Sequence, residues 1–187
     1  MPQPSFTELV VYTEKILSES LGGKAVFKVY EESEEALLAE IISIDHQKFR
    51  ENLRYDIDEL RMRFNNPGLF CLVLYLDEKP IAFDYGYNDS EMGKYFSDSS
   101  ATLIERKGIG GFLGILELVY LFEKGYDAVN FTTEKLDESG RPLQQIWENM
   151  GYRTISVSPS GSVNMTLEIT PEVVEERAQK ILSKNQA

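Results

Sequence analysis

The sequence predicts a mixed α/β fold, and three of its features support that class. Runs with strand-like alternation and runs with apolar residues every three or four positions follow one another along the 187 residues. Two apolar runs, residues 69–76 and 81–87, flank a short polar turn, which is typical of a β-hairpin. Residues 108–124 are apolar nearly all round, which predicts a helix buried on most sides.

Before the hairpin, the chain is predicted to form three helices and one strand. Ser5 with Glu8, and Asp56 with Glu59, have the spacing of a capping box, which satisfies free N–H groups at the start of a helix. The expected elements are a helix from Ser5 ended by Gly22, a strand over residues 24–30, a helix from Ser33, and a helix from Asp56 ended at residues 65–68.

Beyond the hairpin, the pattern predicts a strand–helix–strand unit and a second hairpin. The expected elements are a strand over residues 95–104, the buried helix over 108–124, a strand over 128–133, a helix from Pro142 to Gly151, strands over 152–158 and 162–169, and a charged helix from Thr170. No repeat or linker interrupts this order, so we expect one domain over residues 1–187. Its core is expected at about residues 24–169, with added helices in 1–23 and 170–187.

The charge of the chain limits its partners. A formal net charge of −12 repels nucleic acid and anionic membranes, so neither is expected as a partner. The same charge favours a cationic acceptor, although it is equally explained as a device for solubility. Cys71 is the single cysteine, which fits a reducing compartment, and no signal peptide or membrane span is evident. We therefore expect a cytoplasmic protein, as a monomer or a homodimer.

The segment with the clearest chemical signature is residues 102–113. A strand runs into a turn with Gly108, Gly110 and Gly111, and the turn opens the buried helix. Glycines let backbone N–H groups approach a ligand, and a helix N-terminus has a partial positive charge. Arg106 and Lys107 add two cations in an acidic chain. This combination predicts a phosphate or pyrophosphate site.

Two common phosphate motifs fit this segment poorly. A P-loop requires Lys followed by Ser or Thr after the last glycine, and neither follows Gly111. A dinucleotide fingerprint fits better, with Glu134 near the end of the next strand. However, the third glycine is Gly114, which breaks the required spacing, and the upstream hairpin is antiparallel.

The same segment resembles the acyl-CoA turn of the GNAT family of N-acetyltransferases. The run Arg106-Lys107-Gly108-Ile109-Gly110-Gly111 is similar to the family's pyrophosphate motif, Gln/Arg-x-x-Gly-x-Gly/Ala. About 40 residues later, Ile146-Trp147-Glu148-Asn149-Met150-Gly151-Tyr152 resembles the family pattern Leu-Tyr-Glu-Lys-Leu-Gly-Phe. With the hairpin at residues 69–87 as the central strand pair, the resemblance covers residues 26–167.

The resemblance implies a fold, a co-substrate and a reaction. The fold is a mixed, mostly antiparallel central sheet flanked by helices, here with extra N- and C-terminal helices. The reaction is direct transfer of an acetyl group from acetyl-CoA to a primary amine. The implied cofactor-binding residues are Leu103 and Ile104 for the carbonyl and pantetheine, Gly108, Gly110 and Gly111 for the pyrophosphate, Glu105, Arg106, Lys107, Ile109 and Phe112 in the same segment, and Asn130 on the next strand.

The amine must lose a proton, so a carboxylate is expected as the base. The resemblance points first to Asp98, on the strand that leads into the glycine turn, and second to Glu134. Asp84 and Tyr85 are further candidates to line the acceptor site.

Three positions depart from the family pattern. Glu105 stands where the family has Gln or Arg, Trp147 where it often has a general-acid tyrosine, and Gly140 near a common asparagine. An indole is not a useful proton donor, so another group, such as a tyrosine or a water molecule, is needed, or the thiolate leaves unassisted. These departures keep a non-catalytic CoA-binding or sensor domain as the alternative, with a dinucleotide enzyme as a third hypothesis.

The single histidine, His46, and Cys71 give no basis for a zinc site. His46 lies in the region where the family builds its acceptor site, and it is equally explained as a partly exposed helix residue. Cys71 lies in an apolar strand and is expected in the core. No metal is expected.

Overall fold

One seven-stranded sheet organises the chain. A computed structural model describes residues 4–137 and 140–183. The strands are β1 Ala25–Tyr30, β2 Phe70–Leu76, β3 Lys79–Asn88, β4 Lys94–Thr102, β5 Ala128–Glu134, β6 Arg153–Val157 and β7 Ser162–Glu168. Their order in the sheet is β1-β2-β3-β4-β5-β7-β6, and only the β4–β5 pair is parallel.

Six α-helices and a short 3₁₀ helix accompany the sheet. They are α1 Phe6–Leu21, α2 Glu35–Lys48, the 3₁₀ helix Glu51–Leu53, α3 Ile57–Phe64, α4 Ile109–Lys124, α5 Leu143–Asn149 and α6 Pro171–Ser183. Both predicted capping boxes are present, at Ser5 for α1 and at Asp56 for α3. The ends of the predicted terminal helices, residues 1–3 and 184–187, lie outside the described part of the chain.

The helices divide between the two faces of the sheet. On one side, α1, α4 and α6 pack together over an apolar cluster that includes Leu72 and Leu113, and we name this side the α4 face. On the other side, α2 and α3 cover a second cluster that includes Phe83 and Tyr85, and we name it the α2–α3 face. Each face buries the alternate residues of the same strands.

The sheet opens between β4 and β5. The two strands pair only through Lys94, Tyr95 and Phe96, and the last pair joins Phe96 to Asn130. Immediately afterwards β4 has a bulge, because Ser97 and Ser99 pair with consecutive residues of β3 and Asp98 is left without a partner. Bulges bend the strand that contains them. We name the opening beyond Phe96 and Asn130 the gap.

The predicted fold class and order of elements are confirmed, with small differences at three places. The 3₁₀ helix was not predicted, and β4 ends at Thr102 rather than at residue 104. Helix α4 was expected to be buried on most sides, and eight of its residues are buried, but Gly110, Gly111 and Gly114 are exposed. Among the described residues, no helix is long and apolar enough to cross a membrane.

Candidate active site

The predicted phosphate turn lies at the start of α4 and faces open space. Arg106 and Gly108 both have positive φ, 60° and 74°, which folds the chain back sharply before the helix. A Cβ atom added at Gly110 or Gly111 would meet no atom within 4 Å. The first N–H groups of a helix have no partner within it, so those of Ile109 and its neighbours are available to an anion. We name residues 105–111 the glycine turn.

Glu105 of the glycine turn, which stands where the family pattern has Gln or Arg, forms an ion pair. Lys48, at the end of α2, lies with its Nζ 2.6 Å from Glu105 Oε1. This hydrogen bond lowers the pKa of Glu105, so the carboxylate stays ionised and the charge of Lys48 partly offsets it. Lys107 donates to the backbone oxygen of Ser20, 3.2 Å away. Arg106 is exposed and makes no ion pair with any described residue, so its cation is available to a ligand.

The backbone N–H groups that face the gap differ from those the resemblance implied. Leu103 N–H already donates to the Ile81 oxygen at 2.8 Å, and Ile104 N–H to Thr102 Oγ1 at 3.2 Å. Successive N–H groups of a strand point to opposite edges, so those of Thr102 and Ser100 point away from β3 into the gap. Sequence reasoning missed these two donors because the edge that each N–H faces depends on register.

Asn130 lies on the far wall of the gap, where pairing between β4 and β5 ends. Its side chain is turned aside, since Nδ2 donates to Asp89 Oδ2 at 2.8 Å. Its buried Oδ1 has no hydrogen-bond partner among the described residues. Asn130 therefore lies at the edge of the gap, and its amide holds Asp89 in the loop before β4.

Asp98, the first predicted base, is held by three donors on the α2–α3 face. Arg63 Nη1 lies 2.6 Å from Oδ2, and the Tyr87 hydroxyl lies 3.2 Å from the same oxygen. The Tyr55 hydroxyl lies 3.4 Å from Oδ1, and the Arg63 guanidinium stacks over the Tyr55 ring. The Asp98 side chain is 5% exposed and that of Arg63 33%. Burial, with the charge of Asp98, raises the pKa of Tyr55 to about 12.

Glu134, the second predicted base, lies at the end of β5 and is also ion-paired. Its Oε1 lies 2.9 Å from Nη2 of Arg50, and both side chains are partly exposed. Together with the pair between Lys48 and Glu105, this contact ties the segment after α2 to both the glycine turn and β5. The segment therefore crosses the mouth of the gap on the α2–α3 face.

Trp147, at the family's tyrosine position, belongs to a partly buried aromatic trio. Its ring lies edge-on to Phe131 at 4.8 Å and to Tyr152 at 5.4 Å between centroids. Phe131 follows Asn130 directly, so the trio borders the gap on the β5 side. The indole shapes this wall by packing, and Tyr152 brings the one hydroxyl of the trio.

Two further carboxyl groups lie buried on the α4 face. Asp84 on β3 and Glu117 on α4 are 2% and 5% exposed. Burial raises the pKa of Asp84 to about 7, and burial together with the charge of Asp84 raises the pKa of Glu117. Asp84 was expected at the acceptor site, but its side chain faces α4. Tyr85 faces the α2–α3 core with its hydroxyl buried.

The remaining candidates have structural environments. His46 is exposed and contacts the backbone oxygen of Tyr55 at 3.0 Å through Nε2. Cys71 is fully buried in the core, as predicted. Within residues 4–137 and 140–183, no three His, Cys, Asp or Glu side chains are grouped so as to hold a metal ion.

Comparison with known proteins identifies the fold. No protein-family model and no curated protein matches the sequence. Among solved structures, the ribosomal-protein-S18-alanine N-acetyltransferase from Escherichia coli matches with a TM-score of 0.62 and 13% identity, over 78% of this chain and 95% of that one. The aminoglycoside 6'-N-acetyltransferase from Enterococcus faecium matches with a TM-score of 0.65 and 12% identity, over 78% and 98%.

A third match is the PaiA N-acetyltransferase from Thermoplasma acidophilum in complex with coenzyme A. Its TM-score is 0.59 at 13% identity, over 76% of this chain and 98% of that one. At such identities the likeness establishes the fold. The chain therefore has the fold of GNAT-type acetyltransferases, as the sequence predicted.

Proposed function

We propose that the protein is an N-acetyltransferase that moves an acetyl group from acetyl-CoA directly to a primary amine. The observation that supports this most strongly is the gap, because it lies between the glycine turn at the start of α4 and the polar cluster of Asp98, Arg63, Tyr87 and Tyr55 on the α2–α3 face. A donor and an acceptor that enter from opposite faces meet inside such an opening. The matched acetyltransferase structures support the same reaction class.

The glycine turn fits the pyrophosphate of CoA. The N–H groups at the start of α4 and the Arg106 guanidinium offer donors and positive charge, and the space beyond Gly110 and Gly111 is open. The N–H groups of Ser100 and Thr102 are placed to hold the pantetheine arm and to polarise the acyl carbonyl. Acetyl-CoA supplies an acetyl group activated as a thioester.

The polar cluster around Asp98 offers an acceptor oxygen to an amine. Asp98 Oδ2 is occupied by Arg63 and Tyr87, whereas Oδ1 has only the long contact from Tyr55. We propose that Oδ1 accepts the proton that the amine loses. Glu134 remains the second candidate, at the other side of the gap. The net charge of −12 favours acceptors that arrive as cations.

A transfer assay tests this function. Acetyl-CoA is incubated with a panel of primary amines (peptide N-termini, a polyamine and an aminoglycoside), and free thiol and acetylated product are measured together. We expect equal amounts of both, with a rate about 100-fold lower in Asp98→Asn. Glu175→Gln on the exposed side of α6 is the control and should match the wild type. Binding of CoA without transfer to any acceptor would favour the non-catalytic alternative. Trp147 is the reason to test that alternative, because it stands where the family often has a general-acid tyrosine.

A further inference from the structure

The buried carboxyl groups of Asp84 and Glu117 have no partner that would balance two negative charges. Asp84 lies beside Ser100, whose hydroxyl donates to the Phe83 oxygen at 3.2 Å, and Glu117 lies beside Ser97. Asp84 Oδ2 and Glu117 Oε1 are buried without a hydrogen bond, and no described cation forms an ion pair with either residue. A buried carboxylate without a partner is costly, so such a pair is stable only when it holds a proton.

The pair lies where the gap begins. Ser97, which lies beside Glu117, follows Phe96, the last residue of β4 that pairs with β5. Glu117 is eight residues along α4 from Ile109, or about 12 Å from the glycine turn. Helix α4 packs along β4 in the opposite direction to the strand. Glu117 therefore lies at the height of Ser97 and of the neighbouring bulge at Asp98. The two acidic sites thus flank the same point of the gap from opposite faces.

We propose that Asp84 and Glu117 share one proton and that Glu117 donates it to the sulfur atom that leaves the acyl donor. This inference rests on the proposed acetyl transfer. As the C–N bond forms and the C–S bond breaks, the sulfur takes the proton from Glu117. The proton that the amine releases passes through Asp98 to solvent, and solvent returns a proton to the buried pair. The proton count is therefore unchanged after each turnover.

The neighbouring groups are weaker donors. Trp147 cannot give up its indole proton at useful cost, and burial, reinforced by Glu117, raises the pKa of Tyr152. Tyr95 donates its hydroxyl to the backbone oxygen of Phe70. The remaining titratable group beside the pair is Cys71 on β2, whose thiol pKa is raised by burial and by the charge of Asp84.

The first test needs no ligand. Infrared difference spectra in H₂O and D₂O show whether the folded protein contains a protonated carboxyl group at neutral pH. We expect its C=O band in the wild type and in Glu175→Gln, a shifted band in Glu117→Gln and in Asp84→Asn, where one buried carboxyl group remains to hold the proton, and its loss in the double variant. Melting midpoints verify that each variant is folded. A wild type without the band overturns the shared proton, whatever the activity.

The second test separates the leaving group from the rest of the reaction. With acetyl-CoA, we expect Glu117→Gln to transfer about 100-fold more slowly, with its thermal shift by CoA unchanged. With p-nitrophenyl acetate as donor, the variant should equal the wild type, because nitrophenolate leaves without a proton. Equal loss with both donors, or none with acetyl-CoA, overturns the donor role alone. A wild type that transfers to no amine overturns the proposed function, and the donor role with it.

Discussion

The two faces of the sheet surround their buried carboxyl groups in different ways. On the α2–α3 face, Asp98 is nearly buried but has an arginine at 2.6 Å and two tyrosine hydroxyls. On the α4 face, Asp84 and Glu117 are equally buried and have no cation. Burial alone therefore does not decide the charge of a carboxyl group. The partner matters as well, and our proposal assigns the role of proton acceptor to Asp98 and that of proton donor to the Asp84–Glu117 pair.

The largest expected effect is on the affinity for CoA. Gly110→Asp places a negative charge at the start of α4, in open space where the fold tolerates it. We expect the Kd for CoA, measured by calorimetric titration, to rise at least ~100-fold through repulsion and steric block. Gly114→Asp puts the same charge about 6 Å further along the helix and should weaken binding much less. Equal losses would show that the pyrophosphate does not lie at Gly110.

The next effect is on stability and concerns the α2–α3 face. Arg63→Ala leaves Asp98 buried without its cation, so we expect the free energy of unfolding to fall by about 2 kcal/mol, less than for a fully buried pair. Arg61→Ala, on the same helix but paired with the exposed Glu35, should cost under about 1 kcal/mol. Urea unfolding measures both. If Asp98→Asn does not recover part of the loss in Arg63→Ala, the pairing argument is wrong.

On the α4 face, we expect the free energy of unfolding to depend on pH. The pKa of Asp84 is raised from 3.8 to about 7 in the folded protein, so the folded state binds this proton more tightly than the unfolded chain. The free energy of unfolding should therefore fall as pH rises from about 4 to about 7. We expect a shallower fall in Asp84→Asn and an unchanged one in Glu175→Gln. Identical profiles for Asp84→Asn and the wild type would mean that Asp84 is ionised when folded.

The smallest effect tests the contact that links both faces at the glycine turn. Lys48→Ala leaves the Glu105 carboxylate unpaired beside the expected pyrophosphate, and we predict a Kd for CoA raised about threefold, because surface pairs are weak. Glu105→Gln in the same background should restore the affinity. The difference should shrink at high salt. Tighter binding of CoA by Lys48→Ala would show that the pair hinders the ligand instead.

The sequence allowed the order of elements to be predicted because that order depends on local signals. Capping boxes at Ser5 and Asp56, and the polar turn after β2, act within a few residues. The glycine turn was predictable for the same reason, since its glycines and cations are contiguous. The position of the gap was not predictable from local signals, because the bulge at Asp98 depends on how β3 and β4 pair.

The partners of the acidic residues were not predictable. Asp98 meets Arg63 across 35 residues of sequence, and a shift of one residue in register would turn it to the other face. Asp84 was expected at the acceptor site. Its side chain faces α4 instead, because the register of β3 sets which face of the sheet each residue occupies. Glu117 was missed because helix α4 was described by its apolar pattern. A single acid inside that apolar run was the signal that would have revealed it.

The central claim is that the glycine turn is a CoA site, and thermal unfolding tests it most directly. The melting midpoint is measured for the wild type and Gly110→Asp, alone and with acetyl-CoA, CoA or NAD at ~1 mM. A ligand at about 100 times its Kd adds roughly 2.7 kcal/mol to the folded state. The account predicts a clear rise with both CoA species in the wild type, none with NAD, and none in Gly110→Asp. A wild-type midpoint that neither CoA species moves, or that NAD raises instead, would contradict it.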